Sequence, residues 1–292
     1  MVGTSPRAHL DAMSDIETSP RKPGPWDATP APSPARDTVP DSAVVEPAEK
    51  DQSLVWALIS TGLMAGFLWW ISGSVVVAAA VLVGLFVHEA GHVLAMNRLG
   101  MGPARIYIIP FLGGLAKARR APKSEWHGVL VALAGPAFGL LAMIPFVAVG
   151  LALRQPEWLA GAFFVALLNL VNLVPAPPLD GSKALGPVLT RVHPRLEQAV
   201  LLIIGAAVVI WGLTTGRYIL AAFLALSVFA HLKRGVWRAA WGTLSWPEAG
   251  RSLALYLLAL ILCAGAALGA LLPMTEGDPA AAVRLGLRYL GV

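Results

Sequence analysis

The segment that decides the fold spans residues 52–92 and reads QSLVWALISTGLMAGFLWWISGSVVVAAAVLVGLFVHEAGH. It carries no charged residue from Gln52 to Val87, and a membrane-spanning helix needs about 20 mostly apolar residues. The segment ends on His88-Glu89-Ala90-Gly91-His92. On a helix, two histidines four residues apart share a face and can bind one Zn²⁺, and the Glu between them can act as a base toward water. The segment therefore predicts zinc chemistry at membrane depth.

The composition of the whole chain is that of a membrane protein. Its 292 residues are 57% hydrophobic and only 13% charged, with a mean hydropathy of +0.68, whereas about half the residues of a soluble domain are apolar. The pI near 9.7 does not indicate nucleic-acid binding, because basic residues in short loops orient membrane helices and no aromatic-interleaved basic patch is present. The single cysteine, Cys263, excludes an intrachain disulfide.

The N-terminal residues differ from the rest of the chain. Residues 1–52 are rich in Pro, Ala, Ser and Asp and hold few large apolar side chains, which predicts a disordered cytoplasmic tail. They contain no continuous apolar core after a basic start, so we expect no cleavable signal peptide and insertion beginning at Leu54. Residues 53–273 form the predicted transmembrane domain, and residues 274–292 a short C-terminal tail.

Apolar stretches predict an all-α polytopic membrane protein of about seven transmembrane helices. The predicted spans are Leu54–Ser72, Val75–Asn97, Trp126–Leu153, Trp158–Val174, Leu196–Leu213, Tyr218–His231 and Ser252–Leu272.

The distribution of Lys and Arg between these spans predicts the orientation of the chain. Six such residues follow the second span, three follow the fourth and four follow the sixth, whereas the alternate connections carry only Arg154 and Arg217. By the positive-inside rule the N-terminus and the basic loops are cytoplasmic and the C-terminus is external. The expected location is the inner membrane of a bacterial cell, with the histidine motif toward the cytoplasmic side.

The connection at residues 104–120 predicts a small membrane-associated β-hairpin. Its residues 106–109 are Ile-Tyr-Ile-Ile, Pro110 follows, and Gly113-Gly114 offers a turn. Because lipid cannot satisfy open backbone groups, such a hairpin must lie against the helices or line a wet cavity.

A catalytic zinc needs a third protein ligand, and the candidate is Asp180 in the segment NLVPAPPLDG, residues 172–181. Its three prolines break the helix, so the backbone must open there, which membrane proteins tolerate where it lines a cavity. The alternative is that Asp180 only caps a short helix at the surface. Beside the histidine motif that alternative is disfavoured, since Asp180 is the sole acid between Glu157 and Glu197.

Taken together, these motifs resemble the site-2 protease family of intramembrane zinc metalloproteases. The matching pieces are the sequence HEAGH at residues 88–92, FLGG at residues 111–114, AGP at residues 134–136 and the Asn-to-Asp segment at residues 172–181. They cover residues 75 to about 189, the catalytic core of that family. Gly139 departs from the pattern, because some relatives have a polar residue after the Gly-Pro.

The resemblance implies a role for each matching residue. His88, His92 and Asp180 would bind Zn²⁺, Glu89 would be the general base and acid, and Asn172 would hold substrate or the developing oxyanion. The hairpin at residues 106–115, including Ile106, Ile108, Gly113 and Gly114, would pair with an unwound substrate as an added strand. The substrate would be a transmembrane protein within the lipid bilayer, cut in regulated intramembrane proteolysis.

Two other classes of function remain open from the sequence. A catalytically silent membrane scaffold would keep the fold without the chemistry, but His88, Glu89, His92 and Asp180 are all present. A zinc or proton transporter would be expected to place ionisable groups in several helices along a path. The sequence identifies neither the substrate, the regulatory trigger, nor the oligomeric state.

Overall fold

The computed structural model of the chain describes residues 54–110, 113–234 and 243–291. The tail predicted at residues 1–52 lies outside these ranges, as do Phe111 and Leu112 of the hairpin turn. The elements, in chain order, are α1 (Leu54–Ser72), α2 (Val75–Arg98), β1 (Ala104–Ile109), β2 (Gly113–Ala118), α3 (Glu125–Gly139), α4 (Met143–Leu153), α5 (Pro156–Asn172), α6 (Asp180–Val192), α7 (Pro194–Thr214), α8 (Tyr218–Arg234), α9 (Trp246–Leu271) and α10 (Pro279–Tyr289).

Five helical segments of the described chain are long and apolar enough to cross a membrane. They are α1, α2, the segment 125–153 formed by α3 and α4, α7, and the segment 246–275 that contains α9. The remaining predicted spans coincide with α5 and α8, whose apolar lengths are shorter. At 1.5 Å per residue the 17 residues of α5 rise only about 25 Å, less than a bilayer core of about 30 Å. The predicted helical membrane protein is thus confirmed, but the count of seven spans is not.

The predicted β-hairpin is present and is anchored by its own apolar side chains. Strands β1 and β2 pair antiparallel with Ile106 opposite Ala116 and Ile108 opposite Gly114. Ile108 is buried with Met64 of α1 and Leu85 of α2, and Ile106 packs against the same cluster. The β-branched side chains that favour a strand therefore also hold the hairpin against the helices.

Helix α2 lies between α3 and α5, and small residues allow both approaches. A Cβ atom on Gly91 would lie 2.5 Å from the carbonyl oxygen of Ala134 in α3. On the α5 side, a Cβ atom on Gly84 would lie 3.0 Å from the side chain of Val165. These close approaches place the face of α2 that carries the two histidines between its neighbours.

The proline-rich segment 173–179 folds back on itself before α6 begins. A Cβ atom on Gly181 would lie 2.1 Å from the carbonyl oxygen of Leu173, so only glycine fits at this return. The same carbonyl accepts a hydrogen bond of 2.8 Å from the hydroxyl of Tyr256 in α9. The fold-back brings Asp180, the first residue of α6, into the interior, where it is 5% exposed.

The segment expected as a short C-terminal tail contains regular structure. Residues 272–275 form a 3₁₀ turn and α10 follows. Gly286 of α10 packs beside Phe163 of α5 and Leu271 of α9, and Ala282 is fully buried. This end of the chain is therefore docked on the helix bundle.

Candidate metal centre

The two histidines of the motif lie one turn apart on α2 and face the interior. His88 is 2% exposed and His92 is 6% exposed. Their Nε2 atoms are 3.1 Å apart, and the rings meet edge to face with centroids 4.8 Å apart. The i, i+4 spacing thus directs two imidazole nitrogens to one point.

Asp180 supplies a third donor at the same point. Its Oδ2 atom lies 3.1 Å from Nε2 of His88 and 3.0 Å from Nε2 of His92. Donors that bind zinc tetrahedrally at about 2.0–2.1 Å are themselves separated by about 3.3 Å. The three donor atoms therefore fit a zinc ion with one position left over, and no second cluster of this kind occurs among the described residues.

Hydrogen bonds on the far side of each imidazole fix its orientation. Nδ1 of His92 donates to the carbonyl oxygen of Val131 in α3 at 2.8 Å. Nδ1 of His88 lies 2.8 Å from Oδ1 of Asn169 in α5, which can only accept, so this nitrogen also carries the proton. With both protons on Nδ1, the lone pairs of both Nε2 atoms point to the donor cluster, as metal ligands require.

Asn169 is a site residue that the sequence pattern does not single out. The pattern points to Asn172, three residues later, through its spacing to Asp180. The signal that marks Asn169 is an amide side chain near the C-terminal end of a mostly apolar helix, and in the structure it is 0% exposed. A buried amide of this kind must have hydrogen-bond partners.

The backbone of α3 closes the centre from one side at Gly135. A Cβ atom there would lie 2.4 Å from Nε2 of His92 and 2.8 Å from Nε2 of His88. Any larger residue at this position would occupy the space in which the donor atoms converge.

Glu89 lies between the hairpin and the centre. Its side chain is 5% exposed, and a Cβ atom on Gly114 of β2 would lie 2.4 Å from its Cγ and 2.7 Å from its Oε1. A buried carboxylate this close to a backbone strand can act on a peptide that lies along the strand.

These groups open into a cavity of about 640 Å³, a size typical of ligand sites. Its lining includes the three donors, Glu89, Asn172 and Lys183, with Gly113, Gly114, Leu115 and Ala116 of β2 and Phe223 and Ser227 of α8. The hairpin therefore forms one wall of the cavity and α8 contributes to another.

The remaining predicted site residues divide between this cavity and the core. Asn172 lines the cavity, and its Nδ2 donates to the carbonyl oxygen of Leu168 at 3.0 Å. Gly113 and Gly114 also line it. Ile106 and Ile108 do not, because their side chains pack against α1 and α2.

Lys183, one turn into α6, places a positive charge beside the acidic ligand. Its Nζ lies 3.3 Å from Oδ1 of Asp180, the carboxylate oxygen that faces away from the histidines. Burial acts to raise the pKa of Asp180, but the positive charge of Lys183 acts to lower it. Lys183 thus favours the ionised carboxylate, the form that binds a metal.

Comparison with known proteins confirms the resemblance that the motifs indicate. Residues 76–159 match the sequence model of peptidase family M50, a stretch that contains both histidines, Glu89 and the hairpin and ends before Asp180. The chain is 31% identical over 204 residues to the "Putative zinc metalloprotease Rip3" of Mycobacterium tuberculosis, an alignment covering 63% of this chain and 48% of that protein. It is 28% identical over 140 residues to the "Putative zinc metalloprotease sll0528" of Synechocystis sp., covering 46% and 36%.

The chain thus spans about half the length, or less, of the curated relatives it matches. No solved structure gives a significant match to it.

Proposed function

We propose that this chain is an intramembrane zinc metalloprotease that hydrolyses a peptide bond in or near the transmembrane segment of a membrane protein. The observation that carries the proposal is the convergence of His88, His92 and Asp180 donor atoms within 3.1 Å of one another, beside the buried carboxylate of Glu89. The similarity to proteins named zinc metalloproteases supports it over a silent scaffold or an ion transporter.

His88, His92 and Asp180 would hold the metal through Nε2, Nε2 and Oδ2. A zinc ion there supplies Lewis acidity toward the scissile carbonyl and toward water. The Val131 carbonyl and the Asn169 amide keep both imidazoles in the tautomer that leaves Nε2 unprotonated.

Glu89 transfers protons in this mechanism. It shares α2 with the two histidines but contributes no atom to the donor cluster, so its carboxylate is left to accept a proton from the attacking water. It then gives that proton to the leaving amine, as a general base and acid. Its low exposure keeps bulk water from competing for this proton.

Asn172 stabilises the oxyanion. One hydrogen of its Nδ2 is donated to Leu168, and the amide carries a second hydrogen that can be donated into the cavity it lines. A neutral donor aimed at a developing negative charge stabilises the transition state more than the ground state.

The substrate binds along β2 as an added strand. Support comes from Gly113, Gly114, Leu115 and Ala116, which all line the cavity, and from the contact of Gly114 with Glu89. Main-chain pairing needs no particular side chains, so Ile106 and Ile108 remain free to anchor the hairpin in the core. A substrate helix must unwind near the cut site to pair in this way.

The proposed topology has seven crossings; α5 and α8, each 17 residues and about 25 Å long, would cross where the bilayer is locally thinned. The N-terminus and the hairpin are cytoplasmic and the C-terminus is external, as the Lys and Arg distribution indicates. The enzyme lies in the inner membrane of a bacterial cell, with a catalytic core at residues 75–189 and a cytoplasmic tail at residues 1–52.

A cleavage assay with purified protein tests the proposal. The full chain, reconstituted in lipid vesicles, would be incubated with a panel of single-span proteins whose spans carry Gly, Pro or Asn near the cytoplasmic end. We expect at least one to be cut within or next to its span, at a site identified by mass spectrometry. The Glu89→Gln variant should cut it at least about 100-fold more slowly. Equal cleavage by the variant would contradict the proposal.

A further inference from the structure

The amide of Asn169 has one orientation available to it in the structure. Its Nδ2 donates to the carbonyl oxygen of Val165, one turn earlier in α5, at 2.8 Å. A carbonyl only accepts, so the amide nitrogen must face Val165 and Oδ1 must face His88, where it lies 2.8 Å from Nδ1. Since Asn169 is fully buried, water cannot replace either bond. The side chain is therefore a fixed acceptor for the far side of one metal-binding imidazole.

On its other side, the Asn169 amide packs against Gly139 at the end of α3. A Cβ atom on Gly139 would lie 2.1 Å from Oδ1 of Asn169 and 2.7 Å from its Nδ2. The Asn169 amide thus occupies the space that a side chain at position 139 would fill. Such a Cβ atom would lie within about 5 Å of Nδ1 of His88, so a short polar side chain built from α3 could reach the same nitrogen.

We propose that Asn169 and Gly139 form a positioning pair for His88. Asn169 holds the proton on Nδ1 and the ring in its metal-binding orientation, and Gly139 is small because the amide lies where its side chain would be. Nδ1 of His88 needs one amide acceptor, which a residue of α5 or of α3 can supply. The space between the two helices does not hold two amides. This inference rests on the proposed zinc site but concerns a residue outside the ligand set.

Zinc affinity of the full-length protein in detergent, measured by competition with a chromophoric chelator, tests the pair. Asn169→Leu keeps the number and branching of the side-chain heavy atoms but removes the acceptor. We expect it to bind zinc about 10–100-fold more weakly than the unmodified chain, the usual loss when an outer hydrogen bond to a ligand is removed. The control is Leu201→Ala, a truncation of a buried side chain in α7 that does not line the cavity. It should lower the melting temperature of the metal-free protein without changing zinc affinity.

Moving the amide from position 169 to position 139 tests the positioning pair more sharply. Gly139→Asn alone should weaken zinc binding because two amides clash. The double variant Asn169→Ala, Gly139→Asn should regain zinc affinity to within about 3-fold of the unmodified chain. Wild-type affinity in Asn169→Leu, or an equal loss in Leu201→Ala, would overturn the positioning role. The double variant must bind zinc more tightly than Asn169→Ala alone and than Gly139→Asn alone; otherwise the exchange is overturned.

Zinc binding by the unmodified chain distinguishes failure of the positioning pair from failure of the proposed function. If it binds zinc at one per chain while Asn169→Leu binds equally well, only the positioning pair is refuted. If the unmodified chain binds no zinc, the proposed function itself fails.

Discussion

Replacing Gly135 by alanine should destroy the metal centre without removing any ligand. The added Cβ atom would lie 2.4 Å from Nε2 of His92 and 2.8 Å from Nε2 of His88. Carbon–nitrogen contacts need about 3.4 Å or more, so the His92 ring must move by about 1 Å. Metal sites tolerate ligand displacements of only about 0.2 Å. We therefore expect zinc affinity to fall about 100-fold or more, and cleavage to fall with it.

Chelator competition measures the change in zinc affinity, and thermal unfolding of the metal-free protein measures any change in the stability of the fold. Alanine favours a helix over glycine by up to about 1 kcal/mol, so α3 itself should not be weakened by the change. The matched control is Gly265→Ala in α9, where an added Cβ atom meets nothing within 4 Å; it should bind zinc normally. Normal zinc affinity in Gly135→Ala would refute the placement of α3 against the two imidazoles.

Three further predictions concern the hairpin, the orientation of the chain and the segment before α6. Gly114→Ala places a Cβ atom 2.4 Å from Cγ of Glu89, so it should keep full zinc content but cut substrate about 100-fold more slowly; slowing with zinc loss would contradict this. Lys117→Cys, in a Cys263→Ser background, should react with an impermeant reagent only from the cytoplasmic side; labelling from outside would reverse the proposed orientation. Tyr256→Phe removes the hydrogen bond to the Leu173 carbonyl and should cost about 0.5–1.5 kcal/mol of stability, seen as a lower melting temperature; an unchanged value would show that this bond does not hold the segment before α6.

The convergence of the three candidate donors could be predicted because it depends on local pattern. His88 and His92 share a face at any helix rotation, since their spacing alone fixes it. The return of Asp180 toward the histidines could be predicted because three prolines precede it and break the helix. The structure brings these three donors together at 3.0–3.1 Å.

The partner of His88 could not be predicted in the same way. Asn169 and Asn172 lie three residues apart on one regular helix, so their side chains point about 60° apart around its axis. Which of them meets the imidazole depends on the rotation of α5, and contacts remote in sequence set that rotation. Val165 against Gly84 and Asn169 against Gly139 are two of them.

The span count was harder to predict than the helices themselves. Six of the predicted spans each lie on one observed helix and the third lies on α3 and α4 together, with ends shifted by up to six residues, because hydropathy marks apolar helices well. Crossing also depends on length, and the 17 residues of α5 are bounded by Pro156 at the start and by the proline-rich segment 173–179 after the end. Hydropathy marks the apolar helix but does not set this limit on its length.

The most direct test is zinc content measured beside cleavage in the unmodified chain, Glu89→Gln and Asp180→Ala. We expect one zinc per chain in the first two proteins by elemental analysis, cleavage only in the first, and neither property in Asp180→Ala. Zinc retained by Asp180→Ala with unchanged affinity, or cleavage by Glu89→Gln at the unmodified rate, would contradict a metal centre built from His88, His92 and Asp180 with Glu89 as its base.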